Sequence, residues 1–154
     1  MSHRELPLPR LFLLVVAFAL CLAPAASAQD EETKDPVFRE FKGVQIGMSA
    51  ADCRAKLGTP TDKGEANDFY ALGEKQIVQV FYAGGKVSAI SVNYLDSPAD
   101  APTPKSVFGA DVEAKADGSL YKMVRYPKAG YWLSYSRTAG NSPMVIVTMQ
   151  KINR

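Results

Sequence analysis

The sequence predicts an α+β domain built on an antiparallel sheet of about six strands. Three observations lead there. Short runs rich in valine, isoleucine and tyrosine recur along the chain, separated by Gly- and Pro-bearing turns. Residues 50–57 carry both helix start and helix stop signals. The N-terminal apolar run is too short for a comfortable membrane span, which needs about 20 apolar residues, so it reads as a leader set apart from the fold.

Arg4 and Arg10 supply a positive n-region, and Leu11 to Leu22 is unbroken apolar sequence. Pro24 ends the run, and Ala26-Ser27-Ala28 is a cleavage signal before Gln29. The expectation is a signal peptide over 1–28, cleaved after Ala28, with the product in the periplasm or the medium. An uncleaved anchor is the alternative. A lipoprotein acylated on Cys21 needs a small residue just before the cysteine, where Leu20 stands. Removing 28 of the 154 residues leaves 126, an ordinary size for one domain.

The composition of that product restricts its chemistry. The single histidine, His3, leaves with the leader. That removes Ser-His-Asp and Cys-His catalysis, histidine acid–base work and nearly every common zinc site. Cys53 is the only mature cysteine, so no internal disulfide forms despite an oxidising destination. Arg4, Arg10 and Glu5 also leave, so 16 basic residues of 18 and 15 acidic residues of 16 remain, a net +1. So near-neutral a chain lacks the basic stripe of a nucleic-acid binder. No cofactor and no metal is implied: Gly84-Gly85 reads as a turn rather than a phosphate loop, and no EF-hand spacing occurs.

Residues 29–34 read as a flexible, acidic lead-in, and 35–154 as one domain. Asp35-Pro36 resembles an N-cap and N1 pair opening a short helical turn with Phe38 and Phe41. Ser49 and Asp52 form a capping box, with Met48 and Cys53 as its hydrophobic staple. The main helix follows over 50–57. Ala50, Cys53 and Leu57 share a face, Asp52 and Lys56 make an i,i+4 pair, and Gly58 with Pro60 ends it. Strands are expected over 69–72, 77–82 and 87–95, the last two joined by a tight turn at Gly84-Gly85. A proline-bearing linker runs from Ser97 to Pro104, and Thr103-Pro104 opens a short turn ending at Gly109. Three further strands span 120–126, 131–137 and 144–152. The halves 35–96 and 103–154 suggest a diverged two-unit repeat, since Phe69 follows Gly58 at the same spacing as Leu120 follows Gly109.

Five segments carry a family likeness: Ile46-Gly47-Met48-Ser49, Leu57-Gly58-Thr59-Pro60, Asp68-Phe69-Tyr70, Val80-Phe81 and Gly85-Lys86-Val87. With them the stretch from Val44 to Val92 resembles the SmpA/OmlA domain of BamE-like envelope proteins. Two such units in tandem would also resemble the β-lactamase inhibitory protein fold. The likeness implies an envelope-associated fold more than any activity.

Cys53 is expected to be a buried small hydrophobe rather than a reactive thiol. If Tyr126 opposes Tyr131, one face of the C-terminal hairpin carries Leu120, Val124, Tyr126, Tyr131, Leu133 and Tyr135, which suits a core. The other carries Tyr121, Met123, Arg125 and Trp132, residue types enriched at protein interfaces. The same four also suit a plain sheet face braced by an Arg125–Trp132 cation–π contact. Two carboxylate clusters, Asp62, Glu65 and Asp68, and Asp111, Glu113 and Asp117, fall in polar connectors. The expected function is a non-catalytic, exported binding or structural module of the cell envelope, with a protein or the envelope surface as partner. A secreted inhibitor of an extracellular enzyme is the first alternative, and a carboxylate-dependent hydrolase the second.

Overall fold

A computed structural model describes residues 30–31 and 35–153. The proposed signal peptide, 1–28, lies outside the described residues. The fold is α+β, with two helices and a seven-strand antiparallel sheet to which one short parallel strand is added. In chain order the elements are β1 (Asp30–Glu31), α1 (Ala50–Leu57), β2 (Asp62–Lys63), β3 (Asn67–Ala71), β4 (Gln76–Ala83) and β5 (Lys86–Tyr94). Then come α2 (Pro104–Phe108), β6 (Leu120–Tyr126), β7 (Tyr131–Arg137) and β8 (Val145–Lys151).

The six expected strands are all present, and β6 and β7 have the expected bounds. Two more were not expected. β2 lies in a stretch read as polar connector, because a two-residue strand of Asp and Lys leaves no periodic signal. β1 lies in the supposed flexible lead-in: Asp30 and Glu31 pair in parallel with Val124 and Arg125 of β6. The edge of β6 offers backbone groups that composition does not reveal.

The sheet order is β1-β6-β7-β8-β5-β4-β3-β2. It consists of two meanders, β3-β4-β5 and β6-β7-β8, joined where β5 pairs antiparallel with β8. Each meander follows a helix closed by a glycine whose N–H donates to the carbonyl four residues back, Gly58 to Arg54 and Gly109 to Lys105. The spacing that suggested a repeat does not carry over. Leu120 points into the core, whereas Phe69 lies on the opposite sheet face and its neighbours Asp68 and Tyr70 point inward. A one-residue offset reverses every side chain in a strand.

Helix α1 starts as its sequence dictates. Ser49 Oγ accepts from the Asp52 N–H at 3.1 Å. Asp52 returns to the Ser49 hydroxyl, accepting from it at 2.7 Å, rather than to the backbone N–H. Met48 and Cys53 both pack on the core. The expected Asp52–Lys56 pair is not formed; Lys56 extends instead over Gly43. Helix α2 has the cap expected at Thr103, reinforced by a reciprocal bond between the Ser106 side chain and the Thr103 N–H. The expected helical turn at Asp35-Pro36 is absent. Arg39 Nε donates to the Pro36 carbonyl at 2.9 Å. Phe41 and Val44 then exchange two 2.9 Å bonds across a Lys42-Gly43 turn with positive φ at both residues. That turn turns Phe41 and Val44 into the core, so local pairing outweighs the N-cap signal.

One face of the sheet is the core. Val78, Val80, Ile90, Val92, Leu133, Val147 and Met149 are closed off there beneath Cys53 of α1, Val107 of α2 and the Phe41–Val44 turn. The six hairpin residues assigned to the core, from Leu120 to Tyr135, are all buried.

Candidate functional site

The opposite face of the sheet is made of side chains that are half-buried to exposed, Ala89 apart. Across the six long strands the registers order it into three rows of six positions, with Asp62 of β2 beside Phe69 and the Ala83–Lys86 pair beyond the first row. The first row runs Arg125, Trp132, Gln150, Ala89, Phe81, Asn67. The second runs Met123, Ser134, Thr148, Ser91, Gln79, Phe69. The third runs Tyr121, Ser136, Ile146, Asn93, Ile77, Ala71.

The four sequence-predicted site residues meet at one end of this face. Arg125 stands opposite Trp132, as expected from Tyr126 opposing Tyr131. Met123 and Tyr121 follow on the same side of β6, and Tyr121 is 49% exposed, with Lys115 Nζ 5.5 Å from its ring centroid. Met123, Arg125 and Trp132 line an open recess of about 300 Å³ with Gln150 and the chain's last described residues. Phe81 and Phe69, at the other end, were missed. Alternation along β4 shows that Phe81, Gln79 and Ile77 share a side, but only the β5–β8 pairing makes that side continuous with Trp132. No comparison with family models, curated proteins or solved structures gives a match.

A second constellation lies on the core side, and sequence reasoning missed it. Asp68, expected as a solvated carboxylate, is fully buried. Its Oδ2 accepts from Arg54 Nε at 2.8 Å and from the Tyr82 hydroxyl at 2.7 Å. Its Oδ1 accepts from Arg54 Nη2 at 3.0 Å and from the Gly64 N–H at 3.3 Å. The Tyr70 hydroxyl adds a 3.4 Å contact. Burial on its own would raise the Asp68 pKa, but Arg54 and then Tyr82, by hydrogen bonding the charged form, hold it below the usual carboxylate value. The same burial pushes Tyr70 up to about 12 and Tyr82 further still. The motif Asp68-Phe69-Tyr70 thus pins helix α1 to β3 and β4. The arrangement is a structural clamp, since the carboxylate has no face open to a substrate.

Cys53 touches this clamp from α1 and is buried, with its thiol pKa raised chiefly by that burial. We expect Cys53 to resist iodoacetamide in native protein at neutral pH and to be labelled only after denaturation, as mass spectrometry of its peptide would show. Rapid native labelling would contradict the burial.

The other carboxylates do not converge. Asp62, Glu65, Asp111, Glu113 and Asp117 are all exposed. Asp117 is held low by hydrogen bonds from the Ser119 hydroxyl and N–H. Among the described residues, no group of three or more His, Cys, Asp or Glu side chains is placed to hold a metal ion, and no helix is long and apolar enough to cross a membrane.

Proposed function

We propose that the chain is exported and that its mature domain is a non-catalytic binding module of the cell envelope, working through the outer face of the sheet. One observation carries this reading. The eighteen positions of the three rows hold Trp132, Tyr121, Phe81 and Phe69 and one charge, Arg125, with Asp62 beside Phe69 and Lys86 beside Ala83 at the margins. A face left only to solvent gains nothing from aromatic exposure, whereas binding surfaces draw on aromatics for contact area. The leader supports export. The resemblance to SmpA/OmlA domains supports an envelope address, and its residues have visible work in the fold: Gly47 and Gly58 take positive φ, and Asp68 holds the clamp.

Cell fractionation tests the reading. The wild-type chain is expected to sediment with the envelope, and a Phe81→Arg, Trp132→Arg double variant to move to the soluble fraction. Ala55→Arg, on the exposed side of α1, is expected to behave as wild type. Sedimentation of the double variant with the envelope would remove the outer face from consideration.

A second reading, a secreted inhibitor of an extracellular enzyme, is favoured by the tandem of two helix-and-meander units. It predicts inhibition of a secreted hydrolase that is lost in Trp132→Ala and Tyr121→Ala while folding is retained.

A further inference from the structure

We propose that the edge of β6 is a strand-addition site for an extended acidic peptide of a partner protein, and that the chain's own β1 holds that seat until the partner displaces it. The site is a sheet edge, distinct from the outer face, and does not depend on the reading above.

The seat is seen in use. Asp30 and Glu31 pair in parallel with Val124 and Arg125, and β1 joins the sheet at β6 alone. An edge that takes up one extended segment through main-chain bonds can take up another, because the ladder reads backbone. β1 is also a short occupant. Its two residues span about 7 Å of an edge roughly 23 Å long. Ordering a strand costs backbone entropy, which a two-residue ladder offsets poorly. A peptide running the length of β6 would form a ladder about three times as long.

Charge selects the occupant. β6 carries two bases, Lys122 and Arg125, and no acid. Lys122 lies on the helix side, its Nζ 6.0 Å from the ring centroid of Phe108 in α2, and Arg125 on the outer side opposite Trp132, so both sides of the strand bear a base. Lys115 adds a third, its Nζ 5.5 Å from the ring centroid of Tyr121. The nearest acid before β6, Asp117, is taken up by the Ser119 hydroxyl and N–H. The segment that this edge accepts begins the chain's one run of three consecutive acids, Asp30-Glu31-Glu32. Lysines on an edge strand discourage an apolar strand, whereas opposite charges across a strand pair favour an acidic one. A second copy's β6 would set like charges against each other, so the edge does not suit self-pairing.

Fluorescence anisotropy tests this with the mature protein and three labelled octapeptides: alternating glutamate and valine, alternating lysine and valine, and glutamate throughout. The first alone combines acid with strand propensity, and it is expected to bind at least about tenfold tighter than either of the others. Added salt is expected to weaken it. The double variant Asp30→Pro, Glu31→Pro takes the N–H donors of β1 out of the ladder and is expected to tighten peptide binding about threefold. Lys122→Glu is expected to weaken it at least about tenfold. Should that variant not fold, Lys122→Gln is expected to weaken it about threefold. Failure of the glutamate–valine peptide to bind either wild type or the proline variant would overturn the proposal. So would equal binding of all-glutamate peptide, which would leave charge alone at work, or indifference to the proline variant, which would place the peptide elsewhere. Dimerisation of the proline variant without peptide, read by analytical ultracentrifugation, would give the edge to a second copy and overturn it too.

Discussion

Residues 35–96 and 103–154, produced as separate fragments, are expected not to fold, although each holds a helix and a full meander. The reason lies in the β5–β8 seam. Six residue pairs cross it, from Ala89–Gln150 to Tyr94–Val145. Val92 and Val147 face each other there with 1% exposure each. Separation would turn the nine-residue β5 and the seven-residue β8 from central strands into open edges. Each fragment would also be near the size at which a core covers only about 60% of the unfolded chain's surface. Circular dichroism and amide-proton dispersion of each fragment would check this, and mixing the two should restore both. A cooperative thermal transition in either fragment alone would show that the halves are separate domains.

Asp68→Ala is expected to cost about 3 kcal/mol, or roughly 10 °C in Tm for a domain of this size. Removing the carboxylate leaves Arg54 facing a hole and takes the acceptor from Tyr82. Arg54 is 27% exposed, so water relieves part of the loss, and the expected cost sits at the lower end of what breaking a buried pair costs. The same clamp makes stability depend on pH. The folded Asp68 pKa lies below its unfolded value, which is near 3.9. The unfolded chain therefore binds a proton first on acidification. The contribution is fully present above about pH 5 and is lost as pH falls through 4 toward the folded value. Urea midpoints at pH 7 and pH 3 would show a smaller acid loss for Asp68→Asn than for wild type. Equal losses would place the acid sensitivity elsewhere.

How much of this was legible in advance follows from how far each feature reaches along the chain. The Ser49 and Thr103 caps, the terminating glycines at 58 and 109 and the β6–β7 hairpin were readable because each is settled by neighbours within a few residues. The Asp35-Pro36 signal failed because it was equally local but weaker than the Phe41–Val44 turn beside it. Tyr121, Met123, Arg125 and Trp132 could be placed together because one hairpin carries all four. Asp68 could not be separated from Asp62 and Glu65, since its burial depends on Arg54, fourteen residues earlier in α1, and Tyr82, fourteen later in β4.

The sequence by itself determined the main helix and the alternation within the six principal strands, and it carried the expectation of an export leader whose removal leaves a histidine-free product with one thiol. Those are properties of composition and of short-range periodicity. Only the tertiary structure decided that β5 meets β8, that the outward sides of two meanders make one continuous face, and that Asp68 is buried in a clamp. Strand order and burial are set by the free energy of closing one core over the whole chain, and contacts between distant residues leave little trace in any short window of sequence.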